Sequence, residues 1–264
     1  MEVHHHPDLH HKPKPWKEYL LEYLMIFLAV MTGFFAESYR EHLSERSKEH
    51  EYAVNIKKDL IKETKNIDIW LPATFDRIKK FETLITYLET PGPVAEGSDM
   101  YYLARVSTRN AILQPSNNTF LEMKSSGNLR LIRNRDIIND LIDIEQQSLE
   151  FKNLMDIEGK EDVMSYPLLG ELFDATVFDK MIDANKSRIL SAQEYAQFSV
   201  STIVKPSGNP QLLSHDKVKI NLLIYYLHQR KTSFLGETRM LLGFRKLLAQ
   251  TIKQIDQEYN LTDE

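Results

Sequence analysis

The stretch Tyr19-Leu-Leu-Glu-Tyr-Leu-Met-Ile-Phe-Leu-Ala-Val-Met-Thr-Gly-Phe-Phe-Ala36 decides how the rest of the chain is read. Between Tyr23 and Met31 the only polar group on a side chain is one tyrosine hydroxyl, so no rotation of a helix here presents a wet face. At 1.5 Å of rise per residue the stretch reaches about 27 Å, slightly under the hydrocarbon thickness of a bilayer and inside the usual range for a spanning helix. Trp16, Tyr19 and Tyr39 stand where interfacial aromatics belong, and Lys14, Lys17 and Arg40 can snorkel from the two ends. Glu22 is the irregularity: it can be neutral, reach back to the headgroups, or face a partner helix. Two other readings compete. A buried core helix of a soluble protein is compatible with the short length. A cleaved export signal fits less well, because cleavage after Ala36 would place the bulky Phe34 where a small residue is required.

Outward from this stretch, the expected layout is a His/Pro-rich disordered tail over 1–15, a transmembrane helix over 16–40, and an α-helical soluble domain over 41–264. The fold class is therefore all-α, a single N-terminal transmembrane helix continuing into a bundle of long helices. The 264 residues are 27% charged and 42% hydrophobic, enough for a sizeable core. The net charge of −5, with no clustered Lys/Arg, argues against nucleic acid as a partner. There is no cysteine, which removes thiol nucleophiles, disulfides, iron–sulfur clusters and cysteine zinc sites but leaves the compartment open. Only nine glycines and ten prolines suit long helices joined by few loops.

The first fifteen residues hold five of the nine histidines. His4, His5, His6, His10 and His11 read either as a metal-loading or pH-sensing tail or, more simply, as a solvated segment that binds metal weakly and without selectivity. Lys/Arg counts do not orient the anchor, since Lys12, Lys14 and Lys17 precede it and Arg40, Arg46 and Lys48 follow. The amino terminus and partly charged histidines tip the balance toward a cytoplasmic N-terminus and a periplasmic C-terminal domain.

From Glu37 the helical pattern continues through a charged segment, Ser44 to His50. It then takes up a seam of Ala53, Ile56, Leu60, Ile67 and Trp70, interrupted by Glu63. Pro72 should kink or break this helix. A second apolar set, Phe75, Ile78, Phe81, Leu84, Ile85 and Leu88, carries helix to about Glu89, and Thr90 to Asp99 reads as a loop. Tyr101 to Val106 predicts a short helix. Thr119-Phe-Leu-Glu122 has the capping-box arrangement, with Gly127 suited to a left-handed stop. Asn134 can cap the next helix, whose apolar residues Ile137, Ile138, Leu141, Ile144 and Leu149 recur at helical spacing. The segment from Met155 to Ser214 mixes short apolar clusters with turn residues, and Lys205 to Pro210 is a loop. The longest helical pattern runs from about Asp216 to Tyr259, with Leu222, Tyr225, Tyr226, Leu235, Leu241, Phe244, Leu248, Ile252, Ile255 and Tyr259 near one side. Gly236 and Gly243 lie within it, as kinks, close-approach points or tolerated glycines.

The phrase Thr119-Phe-Leu-Glu-Met-Lys-Ser-Ser-Gly-Asn-Leu-Arg-Leu-Ile-Arg-Asn134 resembles one that recurs in an uncharacterised family of single-pass membrane proteins from Bacteroidota. The opening Met1 to His6, the anchor pieces Phe27 to Val30 and Gly33 to Glu37, and Arg40-Glu-His42 are similar to the same group. The resemblance covers roughly the first quarter of the chain and this central phrase. It implies a bacterial inner-membrane protein with a helical soluble part, and it brings no activity and no catalytic residue.

None of the arrangements that carry local chemistry is present: no phosphate loop, dinucleotide fingerprint, Gly-x-Ser-x-Gly elbow or His-Glu-x-x-His. His215 and His228 are about 20 Å apart if both lie on one helix, too far to share a metal, and His42 and His50 would need ligands from another chain. Acidic pairs such as Asp140 with Asp143, or Asp143 with Glu145, read as a solvated face. Tyr101-Tyr102 and Tyr225-Tyr226 read as packing and rim residues. The expectation is a protein that is not an enzyme and holds no cofactor. It sits in the lipid bilayer, self-associates through Ala29, Gly33 and Ala36, and binds a membrane or periplasmic protein. The alternatives are a sensory or ligand-binding bundle signalling through its anchor and, third, a small oligomeric channel lined by Glu22.

Overall fold

A computed structural model describes residues 15–90, 97–108, 117–182 and 203–261. The five tail histidines and most of the Thr90–Asp99 loop lie outside them. Among the described residues the chain is all-α. The helices are α1 (Trp16–Glu89), α2 (Gly97–Ser107), α3 (Asn118–Ser126), a short 3-10 helix (Asn128–Leu131), α4 (Arg135–Val163), α5 (Tyr166–Leu172), α6 (Ala175–Asp179) and α7 (Lys217–Tyr259). No strand forms among these residues; Ile182 and Ile203 make one isolated antiparallel bridge. The chain divides into two units, residues 1–52 and Ala53 to the C-terminus, and α1 contributes residues to both.

In the second unit, α1 and α4 each pack antiparallel to α7. Lys57 reaches Asp256 at 2.9 Å, Asp68 takes Arg245 at 2.6 Å, and Phe81 stacks on Phe234 at 5.5 Å, so progress along α1 is matched by retreat along α7. The same order holds for α4, from Asn134 with Glu258 at 2.9 Å, through Phe151 against Phe244 at 5.9 Å, to Asp162 with Arg230 at 2.8 Å. Long helices with apolar residues three and four apart bury one face against neighbours of the same kind. Here the buried rows are Ala53, Ile56, Leu60 and Ile67 on α1, Ile137, Leu141, Ile144 and Phe151 on α4, and Leu241, Phe244, Leu248 and Ile255 on α7.

Local signals set several helix ends. Asn134 caps α4, its side-chain oxygen accepting from the Asp136 and Ile137 amides, and Asp216 caps α7 by accepting from Val218 and Lys219. Gly127, at φ 73°, ends α3 in the left-handed conformation that glycine adopts without penalty.

Three expectations are corrected. The break expected at Pro72 does not occur, since α1 continues as helix through it. Leu71 and Thr74 on either side of the proline are buried, and tertiary packing offsets the ~3 kcal/mol that an internal proline costs. The capping box at Thr119 does not form: α3 begins at Asn118 with no side-chain cap of its own, and the Thr119 amide donates to Asp59 Oδ2 of α1 at 2.9 Å. A carboxylate from another helix thus does the work assigned to a local hydroxyl. On α7 the inward row is displaced from the expected one, with Leu222, Tyr225 and Leu235 at 46%, 63% and 44% exposure. Leu223, Leu227, Arg230, Phe234 and Glu237 are buried in their stead. The apolar count misplaced this face because two of its buried residues are charged.

The upper end of the unit is built on α2. Its helix starts at Gly97, inside the stretch expected to be loop, and abuts the 205–211 loop. The Gly97 amide donates to Asn209, Ser98 Oγ donates to the Pro206 carbonyl at 2.7 Å, and Lys205 pairs with Asp99. Tyr101 is fully buried; its hydroxyl donates to the Gln211 carbonyl at 3.1 Å and accepts from the Asp174 amide at 2.8 Å. Phe173 packs edge-on against its ring at 5.0 Å. One tyrosine thereby ties α2 to two segments of the stretch that periodicity could not parse.

Candidate functional site

Two features carry chemical information. The first lies in the N-terminal unit. Among the described residues one helix is long and apolar enough to cross a membrane, and none of its apolar window is buried. Ile26 and Phe34 are 65% and 68% exposed. With about 1 kcal/mol or more at stake for each such side chain, leaving this surface in water costs on the order of 10 kcal/mol, comparable with the whole stability of a domain. The surface therefore requires an apolar covering.

The expected anchor residues fall along this segment. Trp16 is 70% exposed at the helix start. Glu22 is half-buried and engaged with another group. Ala29 and Ala36 are exposed, and a Cβ built on Gly33 would meet nothing within 4 Å. Thr32 turns its hydroxyl back to the Leu28 carbonyl at 2.7 Å, so its polar atom is satisfied within the helix, as an apolar surrounding demands.

The second feature is a cluster of charges inside the second unit that the sequence did not announce. α4 supplies Glu158 and Asp162, 5% and 1% exposed; α7 supplies Arg230 at 1% and Glu237 at 8%; α1 supplies Arg77. Arg230 Nε lies 2.8 Å from Asp162 and its Nη1 3.2 Å from Glu158. The Tyr226 hydroxyl donates to Asp162, and both guanidinium groups lie over the Phe234 ring, Arg230 at 4.7 Å and Arg77 at 5.5 Å. Aromatic and carboxylate partners are what make buried arginine tolerable.

The cluster shifts its members in opposite directions. Burial pushes Glu237 up to about 8, helped by its hydrogen bond to Glu158 and by that carboxylate's charge, while Arg230 and Arg77 pull the other way. Burial lowers Arg77. Arg230 is also opposed by burial, but Asp162 and Glu158 more than offset this and hold it above its ordinary value. Tyr226 is raised, first by burial and then by its bond to Asp162.

Other residues singled out by sequence take structural places. Asp140 accepts from Thr251 at 3.2 Å and Glu145 pairs with Lys124 at 2.7 Å, so two carboxylates expected on a solvated face join helices instead; Asp143 is exposed. Glu63, read as an interruption of the seam, is 2% exposed. His42, His50, His215 and His228 are exposed. Among the described residues no three His, Asp or Glu side chains are placed to hold a metal ion. A shallow concavity of about 240 Å³ lies between Arg77, Lys80, Phe81 and α2, below the usual size of a small-molecule site. Comparison with protein-family models, with curated proteins and with solved structures found no match.

Proposed function

We propose that the protein is a single-pass membrane protein whose helical second unit is an interaction module, binding a protein partner or a second copy of the chain rather than transforming a substrate. The observation that carries this reading is the wholly exposed apolar surface at the start of α1, which only lipid or another apolar helix covers at acceptable cost. The resemblance to a Bacteroidota membrane family supports an inner-membrane location, with the N-terminus cytoplasmic and the helical unit periplasmic. Ala29, Gly33 and Ala36 form the face through which two anchors approach, since small residues let helix backbones pack closely in lipid.

Membrane fractionation with alkaline carbonate extraction tests the anchor. The full chain stays in the pellet, whereas a variant carrying Leu28→Arg and Val30→Asp, which places two charges at the centre of the span, is released. Quantitative release of the unaltered chain refutes the reading. Crosslinking in native membranes tests self-association, with Gly33→Ile reducing the dimer; a monomer alone in the unaltered protein removes the oligomer. A C-terminal reporter decides the side of the membrane.

A further inference from the structure

The buried cluster has an odd number of carboxylates. Arg77 and Arg230 supply two positive charges, and Glu158, Asp162 and Glu237 supply three acids. With every member ionised, the junction of α1, α4 and α7 would enclose one unbalanced negative charge in a region where Glu158, Asp162 and Glu237 are 8% exposed or less. Burying an unpaired charge costs several kcal/mol even after relaxation.

The geometry shows where the imbalance falls. Asp162 pairs with Arg230 Nε at 2.8 Å and accepts from the Tyr226 hydroxyl. Glu158 faces Arg230 at 3.2 Å. Glu237 projects from α7 toward Glu158, and among the described residues its Oε1 finds no hydrogen-bond partner. Two carboxylates that face each other in a dry site do not both ionise; one keeps a proton and donates it to the other.

We propose that Glu237 keeps its proton in this junction, and that this proton holds α7 against α4, so that the three-helix junction loosens when the proton is lost. The groups facing Glu237 are Arg77 from α1, Glu158 from α4 and Arg230 about two turns earlier on α7 itself; Asp162 and Tyr226 complete the shell through Arg230. The device is alkaline-sensitive. A carboxyl whose folded-state pKa lies above its unfolded value stabilises the fold fully below the unfolded value of about 4.3 and loses that contribution as pH rises through about 8. The interval contains neutral pH, so a modest change in a compartment's acidity changes how firmly α7 is docked. This inference stands on the second unit alone and is independent of the membrane reading.

The experiment is chemical denaturation of the full chain in mild detergent, followed by far-ultraviolet circular dichroism at pH 5 to 9. Uptake of one proton on folding makes the unfolding constant rise about tenfold per pH unit between pH 5 and 8. Glu237→Gln keeps the shape of the protonated acid and flattens this slope. Glu158→Gln flattens it by a different route, because the remaining two carboxylates balance the two arginines. All other titratable groups are common to the three proteins, so the difference between profiles isolates the cluster. A flat profile in the unaltered chain overturns the proposal. So does a tenfold slope that survives in Glu237→Gln or, should that variant not fold, in Glu158→Gln.

Discussion

Replacing Gly97 with alanine tests whether the 205–211 loop is part of the folded core or an appendage. A Cβ at this position would lie 2.1 Å from the Pro210 carbonyl oxygen and 2.6 Å from Asn209 Oδ1. The nearer atom is backbone, so α2 and the loop must part by roughly 1 Å to restore ordinary contact. Separation on that scale breaks the Gly97–Asn209 bond and strains Ser98 with Pro206 at 2.7 Å and Tyr101 with Gln211 at 3.1 Å. Losing two or three hydrogen bonds at about 0.5–1.5 kcal/mol each, plus about 1 kcal/mol of overpacking, predicts a destabilisation of roughly 3 kcal/mol. Urea denaturation of the full chain in detergent measures it, and hydrogen exchange locates it in α2 and residues 205–213. Gly236→Ala is the control. Its Cβ would meet nothing within 4 Å, so the better helix former gains about 0.5–1 kcal/mol. A Gly97→Ala protein within about 0.5 kcal/mol of the parent would refute the close approach of these backbones.

Other substitutions give equally definite outcomes. Arg230→Met strands Glu158 and Asp162 without their guanidinium and lowers stability by about 3–5 kcal/mol, read by the same denaturation. The double change Arg230→Met with Asp162→Leu recovers part of the loss, since removing both members of an ion pair leaves less unpaired charge behind. Asp59→Ala removes the acceptor of the Thr119 amide and costs about 1 kcal/mol, with faster exchange confined to α3; Thr119→Val leaves stability nearly unchanged, because that hydroxyl does not cap the helix. Equal losses from Asp59→Ala and Thr119→Val would restore the local capping box.

The ends of helices were readable wherever the deciding group sits within three residues of the end. Asn134, Asp216 and Gly127 act on their own backbone neighbours, so composition and spacing suffice. Thr119 obeyed the same rule on paper and failed because Asp59, sixty residues earlier, offers a charged acceptor at 2.9 Å, and charge-assisted bonds outcompete neutral ones. The break expected at Pro72 is absent for a related reason: its cost is local, whereas the burial that outweighs it comes from other helices. The buried cluster lay hidden for a third reason. Arg230 and Glu237 are charged letters on a helix whose inward face is mostly apolar, and pattern counting assigns such letters to solvent. The signal that could have found them is the row Leu223, Leu227, Arg230, Phe234, Glu237, Leu241, whose spacing of three and four is perfect if charge is ignored.

By itself, the sequence determined that the chain is all-α, that one segment near its start is long and apolar enough to cross a membrane, and where α1, α4 and α7 begin. These are properties of single helices, set by side chains a turn or less apart. Only the tertiary structure decided which face of α7 points inward, that a loop at 205–211 seats the first turn of α2, and that three buried carboxylates meet the buried Arg230 and the half-buried Arg77 at one junction of three helices. Those outcomes depend on pairs of residues far apart in the chain, whose mutual desolvation outweighs the preference that each has alone.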